Sequence, residues 1–250
     1  RLLLAFLGIA SLIALWAIAS YSGLIQPLFL PTPSAVFNSA ITLFRDLNLA
    51  GDILISLYRI ILGFLLSVVV SVPLGVYIGI NKRGQAFFEP VINFIRYIPS
   101  SALLPLFILW FGIGELEKVL LIFISVTPYF VVLVYDAVAN TKKEYIEAGY
   151  TLGANWNTVV FRIIIPQALP SIWDAMRLIM STAWTFVILA EIVAATSGLG
   201  YLIITSSRFL QTANVIAAII IIGLLGLLTD LLFKFTYKKF FPWAEKTHYA

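Results

Sequence analysis

The sequence predicts an all-α integral membrane protein with six transmembrane helices, on three observations. The chain is 61% hydrophobic and only 11% charged, with a mean hydropathy of +1.02. A soluble 250-residue domain could not cover itself with so little polar surface. Six stretches are long enough to cross a bilayer, and they are apolar all round rather than alternating with the period of a membrane strand. The charges fall mostly in the connections between them.

The stretches are 2–21, 53–80, 90–112, 117–140, 171–196 and 212–237. The first could be mistaken for a cleaved leader. No clean small-residue cleavage pattern follows it and five further spans do, so it reads as a true span. The sequence opens on Arg1, and a short preceding cytoplasmic segment is expected. Next comes Gln26-Pro27-Leu28-Phe29-Leu30-Pro31-Thr32-Pro33-Ser34, too rich in proline for a continuous helix. Ser34 is the expected cap of a short amphipathic helix over about 35–47, lying on the outer membrane surface through Val36, Ile41, Leu43, Phe44 and Leu47. Asp52 places a negative charge where the second span begins, as the helix dipole favours. Pro90, Pro99 and Pro105 punctuate the third span, with Ser100 and Ser101 after the middle one. Such a broken helix either lines a pathway or is buried in protein, because lipid cannot satisfy the freed backbone groups.

Charge sets the expected orientation. With the loop at 141–170, the corner at Lys82 and Arg83 and both termini in the cytoplasm, twelve of the sixteen bases lie inside and four lie outside. Net charge is +4 with a pI near 9.3, but the bases form no run or helix face, which argues against nucleic acid. There is no cysteine and only one histidine, His248. Thiol chemistry, disulfides and a histidine metal cluster are excluded, so neither a metal nor a cofactor is expected and the chain reads as no enzyme. It also lacks the phosphate-binding loop Gly-x-x-x-x-Gly-Lys-Ser/Thr, so any ATP must be hydrolysed elsewhere.

Charged and polar groups inside the spans are functional candidates, because burying them in lipid is costly. The fifth span carries Ser181, Thr182, Trp184, Thr185 and Glu191, which either line a pathway or bond between helices. Arg59 either pairs with Glu191 or attracts an anion. Asp230 and Lys234 have the i,i+4 spacing of an ordinary helix contact. Asp136 and Asn140 are placed to hold the following loop.

That loop is the most informative segment. Glu147, Ala148 and Gly149 start a short surface helix, and Gly153 is placed to end it in the left-handed region. Asn155 can cap a second helix that Pro166 should end. Glu-Ala-small, then Gly153, then Ile163 and Ile165-Pro166 closely resembles the "EAA" loop of bacterial ABC-importer permeases. Gly149 stands where a second alanine is usual, and Ile165 where leucine is. The resemblance implies a single permease domain over 1–250 with the type I importer fold, its loop at about 141–170 docking on a separate ATPase through Glu147, Ala148, Gly149, Gly153, Ala154 and Asn155.

The segments "LIQPLFLPTPSAVF", "LFILWFGIGE", "AEIVAATSGLGYLI" and "FFPWAEK" look like the nitrate/sulfonate/taurine/bicarbonate branch. The resemblance implies a bacterial inner-membrane homodimer with two ATPase subunits that hold ATP and Mg. A binding protein outside delivers a small anion. Its pathway is expected along Ser100, Ser101, Ser181, Thr182, Trp184, Thr185 and Glu191. The alternative is a self-contained secondary transporter or channel, for which internal repeats would speak; none is convincing here.

Overall fold

The computed structural model describes residues 2–244; Arg1, Lys246 and His248, used above, lie outside that range. Every regular element among the described residues is helical: α1 (Leu2–Tyr21), α2 (Pro33–Asp46), α3 (Leu49–Ile80), α4 (Lys82–Arg96), α5 (Ser100–Phe111) and α6 (Glu115–Ala139), then α7 (Lys143–Thr151), α8 (Trp156–Val159), α9 (Ile165–Ala194), α10 (Leu199–Arg208) and α11 (Thr212–Phe240). A single π turn, Val160–Ile164, joins α8 to α9. Among the described residues four helices are long and apolar enough to cross a membrane, and α4 with α5 makes a fifth span if the bent pair is counted as one. The sixth expected span is α1, whose apolar Phe6–Tyr21 stretch is shorter than the others.

One local expectation is borne out and two are corrected. The third span is broken as its prolines predict, with α4 and α5 meeting at 91°. Pro99 is the N-cap of α5, at φ −61° and ψ 120°, and a proline disfavours the helical region for the residue before it. The carbonyl that the break leaves at Arg96 is satisfied by Tyr129 Oη at 2.9 Å, while the Arg96 guanidinium lies 5.2 Å from the same ring. The cap of α2 is Thr32, which accepts from Ala35 N, because Pro33 suits the first helical position. Pro166 does not end a helix: the π turn widens the backbone where the proline ring would otherwise clash with a carbonyl one turn back.

The chain packs as two units. In Tyr58–Ala190 with Gly226–Ala250, α3 lies on α6 along small residues four apart: Gly63, Ser67, Ser71, Gly75 and Gly79. A Cβ on Gly63, Gly75 or Gly79 would come within 2.6–2.8 Å of Ile122, Val134 or Val138. Lipid tails are as apolar as leucine, so helices there associate by such close approach and by hydrogen bonds. Thr127 Oγ1 donates to Ser67 Oγ at 3.1 Å within the same seam. Farther along, Leu104 and Phe107 of α5 pack with Leu121 and Ala190. Trp173 Nε1 donates to Phe233 O at 3.1 Å, and Arg177 and Lys234 both pair with Asp230, at 3.0 and 2.6 Å.

In the other unit, Arg1–Leu57 with Glu191–Leu225, α1 and α2 are tied by Trp16 Nε1 on Pro31 O at 3.0 Å and by Tyr21 with Ser34 at 2.8 Å. The start of α10 is held by side chains from elsewhere. Gly198 N donates to Asp52 Oδ1 at 2.6 Å, Leu199 N to Ser56 Oγ at 3.0 Å and Gly200 N to Glu191 Oε2 at 2.8 Å. Three N–H groups that a helix leaves unpaired thus find acceptors, two of them fully buried.

Candidate functional site: the 143–165 helix pair and the polar groups of α5 and α9

Residues Lys143–Thr151 form one helix because only Gly149 and Ile146 turn inward, while Glu144, Glu147, Ala148 and Tyr150 are exposed. Gly153 ends it at φ +81°. Ala154 N reaches Gly149 O at 3.0 Å, and Gly153 N reaches Tyr150 O at 2.9 Å. These are the paired 6→1 and 5→2 bonds of a Schellman stop. Asn155 Oδ1 then accepts from Thr158 N at 2.9 Å and starts the next helix. Helix, sharp turn and helix stand where the spacing places them.

The six loop residues divide by environment. Glu147 and Ala148 are exposed on α7, and Gly153, Ala154 and Asn155 lie in or beside the turn. Gly149 instead is buried: a Cβ there would lie 2.5 Å from Ile163 Cδ1. A cleft of about 760 Å³ opens beside this pair, lined among others by Tyr145, Ala148, Arg162, Tyr237 and Trp243.

The seven polar groups proposed from sequence for the spans also divide. Trp184 is buried and donates through Nε1 to Thr229 Oγ1 at 3.3 Å, joining α9 to α11. Glu191 has no exposed surface, and Ser56 Oγ donates to its carboxylate at 2.7 Å. Ser181 and Thr182 both donate to Leu178 O, at 2.9 and 3.1 Å. Ser101 and Thr185 are exposed, and Ser100 is half-buried. No hydrogen bond among the described residues joins Ser100 or Ser101 to the α9 hydroxyls, although α5 packs beside Ala190 of α9.

Two arrangements were missed from sequence. Arg59, 1% exposed, grips Glu115 with Nε and Nη2, each at 2.7 Å. That bidentate geometry is what guanidinium and carboxylate planes favour. The acid lies 56 residues away, so no helical spacing points to it. The cap of α10 by Asp52 and Ser56 was equally hidden, although the four-residue spacing puts both on one face of α3.

Comparison with known proteins agrees with this geometry. The family described as the binding-protein-dependent transport system inner membrane component is matched over residues 71–241. The taurine transport system permease protein TauC of Escherichia coli (strain K12) is 32% identical over 94% of this chain and 87% of its own length. The bicarbonate transport system permease protein CmpB of Synechococcus elongatus is 25% identical over 98% of this chain and 88% of its own. An inward-facing structure of the MetNI methionine ABC transporter superposes with a TM-score of 0.69 at 18% identity, covering 76% of this chain and 95% of that one, a likeness of fold. With its helical spans, its helix–turn–helix loop and these matches, the chain belongs to the family of binding-protein-dependent transport system inner membrane components.

Proposed function

We propose that this chain is the permease of an ATP-binding-cassette importer for a small anion of the taurine or alkanesulfonate, nitrate or bicarbonate type. An extracytoplasmic binding protein delivers the anion at the bacterial inner membrane. Two copies of a soluble ATPase, which hold ATP and Mg, drive the cycle, and a second permease copy completes a homodimer. The observation that carries the reading is the built loop itself: α7 is stopped by Gly153 and presents Glu147 and Ala148 outward. Relatives that transport taurine and bicarbonate support the anion class.

In this reading the loop and both termini are cytoplasmic, on the side that carries twelve of the sixteen bases. The pathway runs along α5 and the middle of α9. Ser101 and Thr185 offer exposed hydroxyls, with Ser100, Ser181 and Thr182 beside them. Hydroxyls bind an anion weakly enough to release it, where a full positive charge would trap it. Trp184 and Glu191 serve by holding the helices that flank the route.

The decisive experiment is co-purification of the permease with its ATPase after Glu147→Arg and Ala148→Trp. Both positions are exposed, so the membrane fold should survive. Recovered ATPase should fall about tenfold or more, the effect of losing roughly 1.4 kcal/mol of binding. Undiminished recovery would place the docking surface elsewhere.

A further inference from the structure

Four charged side chains meet where α3 passes the start of α6: Arg59, Glu115, Glu117 and Lys118. Arg59, Glu117 and Lys118 are buried. Lys118 is committed locally, its Nζ donating to Gly114 O at 2.7 Å and lying 3.6 Å from Glu117 Oε2. Glu115 is the exception. Its side chain is 47% exposed, yet it covers the Nε–Nη2 edge of an Arg59 side chain that is 1% exposed.

The space around Glu115 is open. The residue follows the turn Gly112–Gly114, where a Cβ on either glycine would meet nothing within 4 Å, and Ile113 between them is exposed. The Glu115 side chain can therefore swing away from Arg59 without moving α6. Swinging away alone is costly, because it strands a buried guanidinium that keeps its charge in proteins. The cost is offset if another anion takes the same edge. That edge suits two oxygens on one centre, and a sulfonate, nitrate or bicarbonate presents them as a carboxylate does. Chloride has no such pair.

We infer that Arg59 is an anion-binding site masked by Glu115, at which a small oxyanion displaces the carboxylate and is displaced by it in turn. The inference rests on the proposed import of such an anion for its ligand class. It places the site just beyond the end of α5, along which the pathway is drawn. Exchanging one ion pair for another of the same kind is nearly balanced, so the anion is held weakly and passed on. A guanidinium without a competing carboxylate would hold it too tightly to release.

The chain contains no cysteine, so Ile113→Cys supplies a single thiol close to Glu115 in sequence. Full-length permease in lipid nanodiscs is treated with an anionic methanethiosulfonate reagent. Methanesulfonate, nitrate or, as the control, chloride is added at equal ionic strength. An anion seated on Arg59 repels the reagent and slows modification. Methanesulfonate and nitrate should both slow it where chloride does not. Glu115→Gln removes the competing charge and should lower the half-effect concentration about tenfold. Pairing Arg59→Gln with Glu115→Gln leaves neutral amides at both positions and should abolish the effect.

An equal half-effect concentration with and without Glu115→Gln overturns the proposal. So does an effect that survives the paired amides or is matched by chloride. If Glu115→Gln fails to fold, Glu115→Asp keeps the charge but is one methylene too short to cover both nitrogens. It should lower the half-effect concentration about threefold, as one of two bonds is lost, and no change there counts equally against masking. The two readings fail separately. A permease that co-purifies with no ATPase removes the importer reading and the ligand class with it, whereas a thiol blind to anions removes the exchange alone.

Discussion

At Gly153 the backbone adopts φ +81°, a region that costs an L side chain about 1–2 kcal/mol. Gly153→Val should therefore loosen the stop of α7, while Gly153→Asn should be milder because asparagine tolerates this conformation. Hydrogen exchange at the Ala154 amide reads the difference, with the valine variant the faster. Glu191 is a different kind of residue. Its carboxylate accepts from Ser56 and Gly200 with no exposed surface, so Glu191→Leu strands buried donors at a cost of about 1–3 kcal/mol. Glu191→Gln keeps an acceptor oxygen and should melt closer to wild type in detergent. Equal melting of the two variants would mean that the α10 cap contributes nothing.

Among the elements, the seam between α3 and α6 bears most directly on stability. Its glycines leave no room for a methyl group: a Cβ on Gly75 would lie 2.6 Å from Val134 Cβ and 2.9 Å from the Val131 carbonyl. Unlike the flexible tip of Ile163, backbone cannot turn aside. Gly75→Val should cost about 1–3 kcal/mol from overpacking, seen as lost folded protein in detergent. Gly223→Val, where a Cβ meets nothing within 4 Å, is the control expected to fold normally. The five small residues stand four apart along the sequence, a stripe that was not singled out among the sequence expectations. Their partners on α6 are not legible there at all, because periodicity names a face and never what lies against it.

For the molecule as a whole, orientation and route are the testable properties. Single cysteines at Asn155 and Asn38 should be labelled from opposite sides of the membrane by an impermeant thiol reagent, as the asymmetry of Lys and Arg requires. Labelling of both from outside would overturn the six-span topology. Ser101→Trp and Thr185→Trp should each block taurine or alkanesulfonate uptake in cells that take up that anion through this permease, with ATPase association unchanged. Transport at the normal rate with both in place would move the pathway away from α5 and α9.

Composition and span length by themselves determined the solvent of this protein and its helical class, because a chain this apolar has few ways to satisfy its backbone in lipid. The loop was equally legible. A left-handed glycine, an asparagine cap and their spacing are local chemistry, and local chemistry is written in consecutive residues. Only the tertiary structure decided that α4 and α5 meet at 91°, that Pro166 lies inside a helix beyond a π turn, and that Gly149 faces inward while its neighbours do not. It alone paired Arg59 with Glu115 and set Asp52, Ser56 and Glu191 on the first amides of α10. Those contacts join residues up to 146 positions apart, where the partner of a buried polar group is chosen by packing and no spacing along the chain encodes it.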